Sequence, residues 1–123
     1  MTDRRLNSCR ILVVEDEYLL ADDLAQELME EGAEVVGPVP SVARAMSLLD
    51  AHARLDGAIL DINLGGEPVF PVADLLIDRG VPVLFTTGYD AAALPSRLAH
   101  VPRCEKPVNI ARVTAALGRV IHA

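Results

Sequence analysis

Four short stretches of this sequence carry side chains suited to phosphoryl chemistry. Glu15, Asp16 and Glu17 stand in a row, Asp61 follows Ala58-Ile59-Leu60, Thr86 and Thr87 precede Gly88, and Lys106 precedes Pro107. Carboxylates brought within a few ångströms of one another repel and stay ionised only beside a counter-charge. A hard divalent cation solves this: Mg²⁺ takes oxygen ligands, keeps several waters and is held by one or two carboxylates plus a phosphate. The compatible set is Asp16 and Asp61, Glu15 directly or through water, and the backbone carbonyl of Asn63. A carboxylate nucleophile such as Asp61 forms an aspartyl phosphate. The charge spread over the arriving group then calls for metal, an ammonium and a hydroxyl, and Lys106 and Thr87 offer the last two. Taken alone, Asp61 fits a turn-opening residue better than a nucleophile. The case rests on what ends the other strands.

The elements that must position these groups follow from hydropathy. Arg10-Ile11-Leu12-Val13-Val14 is a continuous aliphatic run, the mark of a strand covered on both faces. Leu20, Leu24 and Leu28, with Ala21 and Ala25, draw one helix stripe that Gly32 stops. A second strand, Ala33 to Gly37, is expected to end at Pro38 and Pro40, and Ser41 caps a second helix through Val42, Ala45, Met46 and Leu49. After Asp61 comes a loop, Gly65-Gly66-Glu67-Pro68, then a helix opened by Pro71 and closed by Gly80. Val81 to Phe85 is the fourth strand. Pro95 limits any helix between Tyr89 and Leu98 to a short one. Pro102 places the fifth strand, Val101 to Glu105, at a sheet edge, and a last helix starts near Asn109. Strands alternating with helices predict an α/β fold with a parallel five-stranded sheet. The edge character of strand five fits the flavodoxin-like order 2-1-3-4-5, a doubly wound (βα)5 fold. In such sheets ligands bind beyond the carboxyl ends of the strands, where all four stretches would meet.

With those residues in hand, the chain resembles the receiver domain of two-component response regulators over essentially its full length. The resemblance is carried by Glu15-Asp16, Asp61, Thr87-Gly88 and Lys106-Pro107 in that order. It implies that Asp61 is the phosphoacceptor, that Glu15, Asp16 and the Asn63 carbonyl serve Mg²⁺, and that Thr87 and Lys106 contact the phosphoryl oxygens. It also implies a cis Lys106–Pro107 bond. Phe85-Thr86-Thr87-Gly88-Tyr89 is similar to a Phe-x-Thr-Gly signature of some stand-alone receivers. One position departs from the family. Arg103 stands where receivers carry a Tyr or Phe that turns inward on activation, so Tyr89 becomes the candidate substitute. The implied partners are a histidine kinase or histidine phosphotransfer protein and a downstream protein, with self-association through the last helix and fifth strand as a homodimer.

Composition bounds the rest. At 123 residues the chain is expected to form a single domain over 1–123, with a polar lead over 1–9 and no output domain, Met1 marking a natural start. Half the residues are hydrophobic but only two Phe and two Tyr are present, so the core is aliphatic. A net charge of −7 argues against nucleic acid. No targeting segment or membrane-length apolar run appears, Arg4-Arg5 is too short for a polybasic anchor, and a cytoplasmic location is expected. Cys9 precedes strand one and Cys104 lies on strand five, which are not neighbours, so both read as free thiols. His52, His100 and His122 lack ligand spacing. Two competitors stand beside a receiver that catalyses only its own phosphorylation and dephosphorylation. One is a pseudo-receiver that never takes phosphate. The other is a Mg²⁺-dependent aspartyl-phosphate phosphatase, disfavoured because Asn63 stands where such enzymes place a proton-donating Asp.

Overall fold

Five parallel strands form the central sheet of the computed structural model, which describes residues 5–51, 54–88 and 94–123. In chain order the elements are β1 (Arg10–Val14), α1 (Tyr18–Glu30), β2 (Glu34–Val39), α2 (Val42–Ala51), β3 (Gly57–Asp61), β4 (Asn63–Leu64), β5 (Glu67–Pro68), α3 (Phe70–Asp78), β6 (Val83–Thr87), β7 (Arg103–Glu105) and α4 (Ile110–Ile121). A 3-10 turn, Ser96–Leu98, precedes β7. The sheet order is β2-β1-β3-β6-β7, which is the expected 2-1-3-4-5 once the small antiparallel hairpin β4–β5 is set aside.

The continuous apolar runs are explained by two separate cores. Side chains alternate across a strand, so Leu12, Val14, Leu60 and Phe85 enter one cluster with α2 and α3. Ile11, Val13, Ile59 and Leu84 enter the other with α1 and α4. Phe85, Ile11 and Leu60 are among the fully buried side chains, each worth roughly 1.5–3 kcal/mol of transfer free energy. The helix stripe read from the sequence is the inner face of α1: Ala21, Leu24, Ala25 and Leu28 are buried. Gly32 ends that helix at φ +88, with the Ala33 amide donating to the Leu28 carbonyl at 3.0 Å. Ser41 and Asn109 cap α2 and α4, accepting from the amides of Arg44 and Arg112.

Three expectations are corrected. Strand two does not end at Pro38: β2 runs on to Val39 through a cis Gly37–Pro38 bond, and its register with β1 slips between Leu12 and Val14. It is an edge strand, where a proline's missing N–H costs little. The lead is not merely polar, because Leu6 and Cys9 are buried in the α1/α4 core. The Ser8 amide donates to the Gly32 carbonyl and the His122 ring contacts the Arg5 carbonyl, so the lead straps one end of the sheet. The glycine loop after Asp61 folds into the β4–β5 hairpin. Pro102 precedes β7, which is the other edge strand, as expected. The short helix expected after Tyr89 falls largely on residues 89–93, which lie outside the described residues, as does His52. Among the described residues no helix is long and apolar enough to cross a membrane.

Candidate functional site

The site is built where β1, β3 and β6 end together and the chain leaves β7. Beyond β1, Glu15 turns into the protein and is only 3% exposed, while Asp16 stays at the surface. The Glu15 amide donates to the Val39 carbonyl at 3.0 Å, which fixes the loop against β2. Asp61, the last residue of β3, is 4% exposed. Its Oδ1 accepts from the Asn63 amide at 3.2 Å. The Ile62 amide donates to the Thr86 carbonyl and the Val69 amide to the Ile62 carbonyl, so the hairpin is pinned to the sheet. Asn63 Oδ1 accepts from the Gly66 amide at 2.7 Å and sets the hairpin turn. Gly65, at φ +59, brings this turn close to Asp16: a Cβ there would sit 3.7 Å from Asp16 Oδ2.

Among the described residues, one cation serves this acidic group. Lys106 Nζ donates to Asp61 Oδ2 at 2.9 Å and lies 3.2 Å from Glu15 Oε1 and 3.4 Å from Glu17 Oε1. The Lys106 amide donates to the Thr87 carbonyl at 2.7 Å, tying the lysine to the end of β6, and the Lys106–Pro107 bond is cis. Thr87 is buried and its hydroxyl donates to the Gly88 carbonyl at 3.3 Å. Beside it, the fully buried Thr86 leaves its Oγ1 without a partner.

Burial pushes the Glu15 carboxyl up to about 7, a trend the neighbouring Asp61 charge reinforces. The Glu17 amide hydrogen bond and the Lys106 charge act the other way without cancelling it. For Lys106, burial alone favours the neutral amine, but the Asp61 hydrogen bond and the Glu15 and Asp61 charges outweigh it, so the ammonium is held above its ordinary range. Burial, with Asp61 adding to it, outweighs the Lys106 charge, so Glu15 tends to keep a proton.

The donor set fits a hard cation. Glu15, Asp16 and Asp61 each offer a carboxylate oxygen, all within 4.8 Å of one another. Glu15 Oε1 is buried and lacks a hydrogen bond, although the Lys106 ammonium lies within ion-pair distance. Oxygen-only ligands of this kind suit Mg²⁺.

Of the residues singled out from the sequence, the structure brings Glu15, Asp16, Asp61 and Lys106 together, with Thr87 bound to Lys106 through the backbone. Arg103 is elsewhere, exposed on β7 and lining a groove against α4. Tyr89 lies outside the described residues. Sequence reasoning gave Glu17 no role, yet it is the third carboxylate on Lys106. The unbroken acid run was its only signal. Asn63 was chosen for its carbonyl, and what the fold adds is its side chain's hold on the hairpin.

A five-stranded sheet of this order with an acidic cluster, threonine and lysine at its carboxyl edge defines a receiver fold. No family model matches the chain. Structural comparison finds SdrG of Sphingomonas melonis Fr1, 36% identical, covering 97% of this chain and 98% of that one with a TM-score of 0.79. The BeF3-activated conformation of SdrG from Pseudomonas melonis Fr1 is less similar, with a TM-score of 0.70 at 35% identity over 94% of this chain and 95% of that one. A response regulator receiver protein of Sinorhizobium medicae WSM419 is 28% identical, with a TM-score of 0.76 and coverage of 96% and 98%. By sequence, the phyllosphere-induced regulator PhyR of Methylorubrum extorquens is 31% identical over 119 residues, 90% of this chain. The chain spans 43% of the length of the curated relatives it matches. It belongs to the response regulator receiver family of two-component signalling.

Proposed function

We propose that Asp61 accepts a phosphoryl group from the phosphohistidine of a histidine kinase or histidine phosphotransfer protein, and that the chain signals onward by protein contact. The observation that carries this is Asp61 itself: a nearly buried carboxylate within 2.9 Å of one ammonium and grouped with two further acids. An Asp61 oxygen attacks phosphorus in line with the P–N bond. The new P–O bond forms as P–N breaks, and the imidazole leaves with the electron pair and takes a proton. Glu15, Asp16, Asp61 and the Asn63 carbonyl would hold Mg²⁺, which when bound supplies charge neutralisation for the transferring group.

The remaining work falls to the protein. Lys106 exchanges its Asp61 contact for a phosphoryl oxygen, and Thr87 turns its hydroxyl from the Gly88 carbonyl toward the same group. Arg103 carries no ring to follow Thr87 inward, and Tyr89 is the aromatic assigned that part. The chain turns over no external substrate beyond the phosphodonor. Its two free thiols fit a cytoplasmic setting. Beryllofluoride mimics a phosphoryl group on a carboxylate, so the BeF3-activated conformation of SdrG supports the reading. The test is titration of the 15N-labelled chain with beryllofluoride and Mg²⁺. Shifts at Asp61, Thr87 and Lys106 that vanish in Asp61→Asn are expected. An unchanged spectrum would refute the reading in favour of a pseudo-receiver.

A further inference from the structure

Thr86 stands one place before Thr87 on β6 and has no part in the proposed phosphoryl transfer. It is wholly buried, yet its Oγ1 has no hydrogen-bond partner among the described residues. A buried hydroxyl left unpaired costs stability, whereas a methyl group in its place would not. Its presence is explained if another state of the molecule gives it a partner.

The register of the sheet places Asp61 of β3 opposite Thr86, and Thr86 opposite Cys104 of β7. Ile59 and Leu84, two places earlier, both enter the α1/α4 core, so Asp61 and Thr86 share that face of the sheet. Neighbouring strands lie about 4.8 Å apart, which sets the hydroxyl beside the Asp61 carboxyl. Both backbones are held in place. The Ile62 amide donates to the Thr86 carbonyl at 3.0 Å, and the Lys106 amide to the Thr87 carbonyl at 2.7 Å.

At rest the two Asp61 oxygens are served by the Asn63 amide at 3.2 Å and the Lys106 ammonium at 2.9 Å. Phosphoryl transfer adds terminal oxygens and draws Lys106 and Thr87 onto them. Asp61, almost wholly buried, then loses the shorter of its two bonds. Among the described residues, Thr86 is the buried side chain with an unpaired hydroxyl donor, the other unpaired atom being a carboxylate oxygen of Glu15.

On the reading of Asp61 as phosphoacceptor, which this role presupposes, we infer that Thr86 is a positioning residue for the phosphorylated state. Its hydroxyl, idle at rest, donates to the Asp61 carboxyl oxygen left in the cleft once Lys106 turns to the phosphoryl group. The two adjacent threonines thus do different work, Thr87 on the phosphoryl oxygens and Thr86 on the carboxyl group that carries them.

The test separates resting stability from affinity for beryllofluoride, which stands in for the phosphoryl group. Denaturant midpoints in a chelator and 15N-monitored beryllofluoride titrations in MgCl2 are compared for wild type, Thr86→Val and Thr86→Ser. Thr86→Val exchanges only the hydroxyl for a methyl group. Its midpoint should equal or exceed that of the wild type, while its dissociation constant for beryllofluoride rises about tenfold. Thr86→Ser keeps the hydroxyl and loses the methyl group, so its midpoint should fall while its affinity stays that of the wild type. Undiminished affinity in Thr86→Val would overturn the role. So would a Thr86→Val less stable at rest, for then the hydroxyl is already bonded, or a Thr86→Ser weakened as much as Thr86→Val. A wild type that takes no beryllofluoride would overturn the phosphoacceptor reading itself, and this role with it.

Discussion

Lys106 Nζ meets Asp61 Oδ2 at 2.9 Å although 45 positions separate the two residues in the chain. The contact exists because β6 alone lies between β3 and β7, and each strand delivers its last residues to the same edge of the sheet. The strand order is thus what converts scattered residues into one electrostatic unit. Within that unit, Lys106 answers Asp61 and Glu15 together, at 2.9 and 3.2 Å.

Removing that cation should expose its worth. Lys106→Met leaves two largely buried carboxylates facing each other, and breaking a buried pair by removing one partner is strongly destabilising. The expected loss is on the order of 2 kcal/mol or more at pH 8 without metal, read by urea denaturation. The loss should shrink at pH 5.5, where Glu15 relieves the repulsion by keeping a proton. A variant equally stable at both values would contradict the electrostatic account.

Glu15 makes stability of the metal-free protein depend on pH with a defined sign. Its folded pKa is raised from 4.5 to about 7, so below 4.5 it is protonated whether the chain is folded or not. As pH rises from there, the unfolded chain gives up the proton and the folded chain keeps it, so this contribution to stability declines through about 7. Melting curves in a chelator should show this decline between those limits. Glu15→Gln should flatten it.

Magnesium should reverse the decline. A cation that binds only the folded state stabilises by mass action, about 1.4 kcal/mol at ten times its dissociation constant. Because the proton on Glu15 competes with it, the rise in melting temperature on adding MgCl2 should be larger at pH 8 than at pH 5.5. Asp16→Ala should abolish most of the rise while leaving the fold intact, since Asp16 is exposed.

The N-terminal strap is testable through packing. Leu6 is 3% exposed in the α1/α4 core, so Leu6→Ala should cost about 2–3 kcal/mol in denaturant unfolding. A cost near zero would mean that the lead does not belong to the core.

Much of this was legible in the sequence, for physical reasons. Strands covered on both faces must be apolar at successive positions, so β1, β3 and β6 announce themselves, and the carboxylates and threonine at their ends, with the lysine after β7, are conspicuous by contrast. Gly32, Ser41 and Asn109 each mark a helix end because turn geometry and capping select those residues. Pro38 misled because proline interrupts a strand in general, yet an edge strand absorbs it. Leu6 and Cys9 were hidden because two isolated apolar residues in a polar stretch have no periodicity, and only the closed end of α1 at Gly32 gives them a surface to cover. Glu17 was hidden because its partner Lys106 lies 89 positions away.

The most direct measurement of the central claim is the intact mass of the protein after incubation with phosphoramidate and Mg²⁺, beside Asp61→Asn. The account predicts a gain of about 80 Da in the wild type that is absent in the variant and absent in a chelator. An unmodified wild type that nonetheless binds Mg²⁺ and keeps its fold, or an adduct that persists in Asp61→Asn, would contradict it.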